Sequence, residues 1–382
     1  MRIALFTDTF TPQINGVSRT YQRLVSYLQS QGIETMVLAP SGNGPDGEQQ
    51  GVIRFLSCDF FLYPECQIAW PNYFSLCSAL DRFRPDLVHI ATPFVLGLAG
   101  LKYADSRGLP KVAVFHTNFP QYLDYYRMPL LKKLAWRFLR WFHTQADRNY
   151  CPSQETRRLL ARHGIPRVDL WSRGVDHTLF NPMWHSGDLR RLHGVGDKTV
   201  LLYVGRLAPE KNVEILLQAL TAANASINGL HLWIVGDGPA RPALEAMAPA
   251  NVTFMGYRAG QDLAGLYASA DIFVCPSVTE TFGNVILEAM ASGLPVVAPM
   301  AGGIKENLFP MKTGLDCLPL NSLSMAEAII RLARDRELRI SLAAQAFQHA
   351  SEQTWEMVFG RLVDSYRDVI ERHRSTRRIQ AI

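Results

Sequence analysis

The chain has 382 residues, more than one hydrophobic core usually supports, so two domains are expected. With 48% hydrophobic residues and a net charge of +5, it is not a disordered chain. The charge suits phosphate-bearing ligands or an anionic surface but is too small to argue for nucleic acid.

The cysteines at 58, 66, 77, 151, 275 and 317 form no C-x-x-C pair, which excludes a disulfide scaffold and a zinc ribbon and fits reduced cytosolic thiols. The opening "MRIALFTDTF" reads as a strand ending in an acid rather than a signal peptide. No apolar run reaches the roughly 18 residues that a membrane span needs. A soluble cytoplasmic protein is expected, with no nucleic acid among its partners.

In chain order, the first strand run leads into the loop "TFTPQINGVSRT", whose single glycine, Gly16, is not the G-x-G-x-x-G of a dehydrogenase. The amphipathic stretch "SRTYQRLVSYLQSQG" follows, closed by Gly32 as helix C-termini often are. "TMVLAP", "LVHIAT" and "KVAVFHT" continue as near-continuously apolar runs, the pattern of strands buried on both faces. The last of them ends at His116, where Thr117 and Asn118 add polar groups. A lone histidine after a strand is more often structural than catalytic.

Next comes "MPLLKKLAWRFLRWFHTQADR". On a helical wheel, Leu130, Leu134, Phe138, Trp141 and Phe142 share one face. Lys132, Lys133, Arg137 and Arg140 form the other, with Trp136 among them. A basic, Trp-bearing amphipathic helix can lie on an anionic bilayer or can simply be a domain helix with a core face. An exposed Trp136 would favour the bilayer.

The alternation pauses over residues 174–198, which are rich in turn formers, and this stretch reads as an interdomain linker. It resumes with "TVLLYVGR", "HLWIVGDG", "VTFMGY", "DIFVCPS" and "PVVAP", with helices such as "NVEILLQALTAAN" between. This βαβ pattern predicts two doubly wound α/β domains with parallel sheets, residues 1–177 and 178–353. The final helical stretch, 354–382, has no strand after it.

Ligands of open α/β sheets bind at the carboxyl ends of strands. After "TVLLYV", Gly205 lets a ligand approach the backbone, and Arg206 and Lys211 stand near a helix start as a diphosphate site requires. After "HLWIV", Gly236-Asp237-Gly238 resembles a nucleotide-binding turn, but Arg241 stands where the fingerprint wants its last glycine. After "DIFVCPS" comes "VTETFGNVILEAMASG". Here a helix is predicted from near Phe282 to about Ser292, with Glu280 on the loop before it and Glu288 within it. The N–H groups of Phe282 and Gly283 would face a bound group, and the two carboxylates could accept hydroxyls of a sugar or ribose. Two solvent-facing glutamates are the bland alternative.

In combination, Gly16, His116, "SRGVD", "GR" with Lys211, "GDGP" and E-x7-E before "AMASGLPVV" resemble glycosyltransferase family 4, retaining enzymes of the GT-B fold. "FHTNFPQYLDYY", "RGVD" with "LFNP" and "TETFGNVILEAMASG" are most similar to GDP-mannose-dependent α-mannosyltransferases and to glycolipid or sulfolipid synthases. The resemblance implies two Rossmann-like domains facing across a cleft, with the last helix packed back on the first domain. It implies that Arg206 and Lys211 hold the donor diphosphate and that Gly16 lets the first loop close on it. Glu288 would bind the ribose, Glu280 with the Phe282 and Gly283 backbone the donor sugar, and His116 would line the reaction centre.

The family's usual Asn is Arg173 here, which leaves that loop's role open. A glycosidase would need its two carboxylates flanking one bond and no cationic loop. No D-x-D occurs, so no metal or other cofactor is expected. The implied reaction moves a hexose, mannose from GDP-mannose, to a hydroxyl of a lipid or glycan acceptor at the membrane's inner face. A UDP-sugar transferase, a nucleotide-sugar epimerase, a phosphorylase and a non-catalytic binding module are the competing readings.

Overall fold

In a computed structural model, residues 1–13, 15–41, 51–59, 67–120 and 129–380 are described. The first sheet takes β1 (Arg2–Phe6), β2 (Glu34–Pro40), β3 (Val52–Phe55), β6 (Leu87–Ile90), β7 (Lys111–Val114), β8 (Arg148–Cys151) and β9 (Val168–Leu170) in the order β3-β2-β1-β6-β7-β8-β9. An antiparallel pair, β4 (Ser57–Asp59) with β5 (Gln67–Ala69), lies beside it. The second sheet takes β10 (Thr199–Val204), β11 (Leu230–Val235), β12 (Val252–Gly256), β13 (Ile272–Val274), β14 (Val296–Pro299) and β15 (Gly314–Cys317) in the order β12-β11-β10-β13-β14-β15. All strands of both large sheets pair in parallel.

Each of the nine apolar runs is a strand, and β6, β11, β13 and β14 are buried along their whole length. Helices cover both faces because a parallel sheet with crossovers has no solvated side. Asn15 caps the helix Gly16–Ser30 by accepting the Ser18 N–H at 2.8 Å. The acid at the end of the first strand run, Asp8, accepts from Thr92 Oγ1 at 2.6 Å and from the Leu96 amide at 3.1 Å. It thereby tethers the start of the helix Val95–Arg107, whose own cap residue, Phe94, has no side-chain group that could accept the capping hydrogen bond. Burial pushes the Asp8 carboxyl up to about 7 despite those bonds.

The stretch after Arg173 is less loose than its composition suggests. Val175, Phe180 and Val195 are buried in a core of the second sheet's domain, and Val175 bridges to Thr354. The outgoing and returning chains therefore run side by side. A Cβ on Gly174 would lie 2.5 Å from the Trp355 amide nitrogen, so only glycine fits at this crossing. The helix Trp355–Gln380 then packs along the first domain, where Phe359, Leu362, Tyr366 and Ile370 share a core with Ile3, Leu5, Tyr21 and Leu24. Arg148 reaches Asp368 of that helix at 2.8 Å.

Candidate active site

The carboxyl ends of both sheets open on one cleft. Its first-domain wall carries Gly16, Arg19, Arg23, His116, Thr117 and Arg173; its second-domain wall carries Gly205, Arg206, Lys211, Gly236, Glu280, Phe282, Gly283 and Glu288. Among the described residues, the cleft thus collects every donor-side candidate named from the sequence. Gly16 starts its helix directly opposite Asn284, and a Cβ there would sit 3.8 Å from the Asn284 amide nitrogen. Arg19 spans the walls to the Tyr257 hydroxyl at 2.7 Å.

On the second wall the two cations of the diphosphate site are already paired. Lys211 Nζ donates to Glu280 Oε1 at 2.6 Å, and Arg206 pairs with the buried Glu210. Burial works against the Glu280 anion, but the Lys211 ammonium, a Ser277 hydrogen bond and Arg206 together hold its carboxyl below the usual range. Glu280 is therefore an anion at neutral pH. Glu288 is different. Burial raises it to about 7, against the Tyr267 hydroxyl donating at 3.1 Å and the nearby Arg19 and Arg23.

The helix behind these groups runs from Asn284 to Ala291, two residues later than the sequence suggests. Gly283 is the reason: it sits at φ 84, a left-handed conformation outside the helix. The Phe282 ring turns inward, 5% exposed, while its carbonyl accepts from Asn307 Nδ2 at 3.2 Å. Its contribution to the cleft is main chain.

Gly236 and Gly205 meet in the structure. A Cβ on Gly236 would lie 2.0 Å from the Gly205 carbonyl oxygen, and Gly236 sits at φ 135. The "GDG" turn therefore exists to let two strand ends pass, whatever else it binds. Sequence reading missed Gly302 and Gly303. The Gly303 amide donates to the Glu280 carbonyl at 2.6 Å, and a Cβ on Gly303 would lie 2.2 Å from the Thr281 carbonyl oxygen. Their signal was visible as "AGG" just beyond the run "PVVAP" at a carboxyl end. Glu210, Tyr267 and Tyr257 were also missed, because only the fold brings them to Arg206, Glu288 and Arg19.

The helix Pro129–Thr144 corrects the wheel. Trp136 is not exposed among the cations: it is 8% exposed and stacks on His163 with ring centroids 3.6 Å apart. Burial follows Trp136, Leu139, Phe142 and His143, because this side of the helix packs against Phe115 and His163. Phe142 thus leaves the apolar face assigned to it, and the solvent receives Leu131, Leu134 and Trp141, the last two 63% and 53% exposed. Lys133, Arg137 and Arg140 are exposed beside them, and Lys132 is partly so. None of these residues lines the cleft. The Leu130 side chain and residues 121–128 lie outside the described residues.

Comparison with known proteins decides the family. Residues 14–179 match the model of Glycosyltransferase Family 4, and residues 198–335 that of Glycosyl transferases group 1. A GDP-mannose-dependent alpha-mannosyltransferase of Mycobacterium tuberculosis is 38% identical, with 97% of each chain covered. This chain is a family 4 glycosyltransferase. An alpha-monoglucosyldiacylglycerol synthase of Streptococcus pneumoniae is 30% identical over 78% of this glycosyltransferase and 71% of its own length. The Anabaena HepE protein, solved in complex with UDP, superposes with a TM-score of 0.77 over 96% of this chain and 100% of its own at 21% identity, and so shares the two-domain GT-B fold. Among the described residues of the glycosyltransferase, no helix is long and apolar enough to cross a membrane.

Proposed function

We propose that the protein transfers a mannosyl residue from GDP-mannose to a hydroxyl of a lipid or glycolipid acceptor, with retention at the anomeric carbon. What carries this reading is the likeness to the GDP-mannose-dependent relative along the whole chain; the cleft chemistry agrees with it. Arg206 and Lys211 neutralise the donor diphosphate, Glu288 accepts from the ribose, and Glu280 accepts a sugar hydroxyl once Lys211 is shared with phosphate. The glycosidic C–O bond to the diphosphate breaks while the acceptor oxygen adds on the same face. The acceptor proton passes to the departing diphosphate oxygen, and the two cations stabilise the charge that develops there.

The test is transfer from labelled GDP-mannose into lipid vesicles holding candidate glycolipid acceptors, with EDTA present throughout. An α-linked mannolipid made at an undiminished rate is the expected result. Transfer only from UDP-glucose would replace the donor, and activity lost with EDTA and restored by a divalent ion would overturn metal independence.

The acceptor is delivered by a membrane surface. Leu131, Leu134 and Trp141, rimmed by Lys133, Arg137 and Arg140, have the composition of an interfacial helix face. Replacing both Leu134 and Trp141 by serine is expected to weaken flotation with anionic vesicles at least tenfold. Turnover of a water-soluble acceptor analogue should be unchanged. Flotation indifferent to anionic lipid and to these changes would contradict the surface.

A further inference from the structure

Beneath the first-domain wall, five side chains form a buried chain that the proposed chemistry does not use. Arg173 Nη2 lies 2.7 Å from His116 Nδ1, and His116 Nε2 lies 2.7 Å from the Tyr21 hydroxyl. That hydroxyl is 2.9 Å from His89 Nε2, and His89 Nδ1 is 2.6 Å from the hydroxyl of Tyr366. The chain runs from the cleft through the helix Gly16–Ser30 and β6 to the C-terminal helix. All five residues are buried.

The direction of the first two bonds follows from one member. A guanidinium carries only donors, so His116 Nδ1 must accept and holds no proton. The second Arg173 terminal nitrogen is bound to the Trp171 and Ser172 carbonyls at 2.8 and 3.1 Å, which fixes the group in place. His116 then carries its one proton on Nε2 and donates it to Tyr21. Tyr21 has one proton, and donating it to His89 Nε2 gives that buried hydroxyl an acceptor. In that arrangement His89 is protonated on Nδ1, toward Tyr366.

We propose that Arg173 is a positioning residue that locks His116 and His89 in opposite neutral tautomers and thereby withholds His116 from acid–base chemistry. Both ring nitrogens of His116 are taken inside the protein, so the imidazole offers the cleft a fixed polar wall and no proton acceptor. This deepens the proposed reaction, in which the leaving diphosphate takes the acceptor proton, but it does not depend on which donor or acceptor is used. Burial, the Arg173 charge and His89 all depress His116 protonation well below the ordinary histidine value, and burial alone brings His89 to about 3. Asparagine at 173, with an amide that both donates and accepts, would leave the direction open. The replacement of Asn by Arg in "RGVD" thus has a physical consequence.

The experiment is long-range proton–nitrogen correlation on the full chain labelled with 15N-histidine, without ligands, the two signals being assigned by their loss in His116→Gln and His89→Gln. His116 is expected as the Nε2–H tautomer and His89 as the Nδ1–H tautomer, both unchanged between pH 5.5 and 8. Arg173→Met should release both rings into tautomer averaging. Tyr21→Phe should release His89 alone, because His116 is still set from the Arg173 side. The same tautomer at both rings, or a protonated His116 in the wild type, would overturn the proposal without bearing on the donor; so would Arg173→Met leaving both rings as they were. The wild-type spectrum decides the tautomers even if a variant fails to fold.

Discussion

Lys211→Ala is expected to lower kcat/KM by about 10²- to 10³-fold, the size of effect seen when one donor to a developing anion is removed. It should also destabilise the protein. Lys211 holds Glu280 at 2.6 Å, and each side chain is only 17% exposed. Removing the cation leaves a carboxylate partly out of water with no ammonium, a cost of about 1–3 kcal/mol once the remaining solvent contact is allowed for.

The two losses separate in the double variant. Lys211→Ala with Glu280→Gln removes the stranded charge, so the melting temperature should recover toward the wild type while transfer does not. Steady-state kinetics and thermal melts on the four proteins of this cycle check both halves. A single Lys211→Ala variant with normal kcat/KM would remove Lys211 from the diphosphate site.

Glu288→Gln is expected to make the protein more stable at pH 8 and much poorer at binding its donor. The folded carboxyl sits at about 7 against an ordinary 4.5, with burial as the chief cause. Between those values the folded state holds a proton that the unfolded chain has released, so this group's contribution falls as pH rises from about 4.5 to about 7. Below that window the burial of Glu288 costs nothing in charge, and above it the full cost is present. Glutamine is neutral throughout and should lose that slope. The carboxylate is what ribose hydroxyls need, so donor affinity should fall at least tenfold in the variant, and wild-type affinity should rise between pH 6 and 8. Melts across pH, with and without GDP-mannose, read both effects. A wild type and variant with parallel pH profiles would place the Glu288 carboxyl at an ordinary value.

The two prominent glutamates thus differ in state as well as place: one is an anion held by lysine, the other is poised near neutrality beside a tyrosine. Their spacing in the sequence showed neither. Lys211 and Glu280 are 69 residues apart and meet only because β10 and β13 are neighbours in the sheet. The same holds for Tyr267 and Glu288, which lie on successive helices.

What could be read in advance was whatever a short window carries. Apolar runs such as "HLWIVG" are strands because both of their faces are covered, and the pattern reports that directly. The strands left unread are those whose pairing outweighs their composition. β9 keeps two of its three residues exposed, and β15 begins at Gly314, where a Cβ would lie 2.0 Å from the Val296 carbonyl oxygen. The 129–144 helix shows the remaining limit. Its amphipathic character was legible, but which side the sheet would cover was not, and Phe115 with His163 chose Trp136. That choice leaves Leu134 and Trp141 to the solvent and puts the candidate membrane face on the side of the helix away from Trp136.

The most direct test of the account is a calorimetric titration of the apo protein, in EDTA, with GDP-mannose, UDP-glucose, UDP-galactose, UDP-glucuronate and ADP-glucose. Saturable binding of GDP-mannose at one site, at least tenfold tighter than any other donor and lost in Glu288→Gln, is the predicted result. A UDP-sugar bound more tightly, or binding of GDP-mannose untouched by Glu288→Gln, would contradict the assignment of donor and cleft.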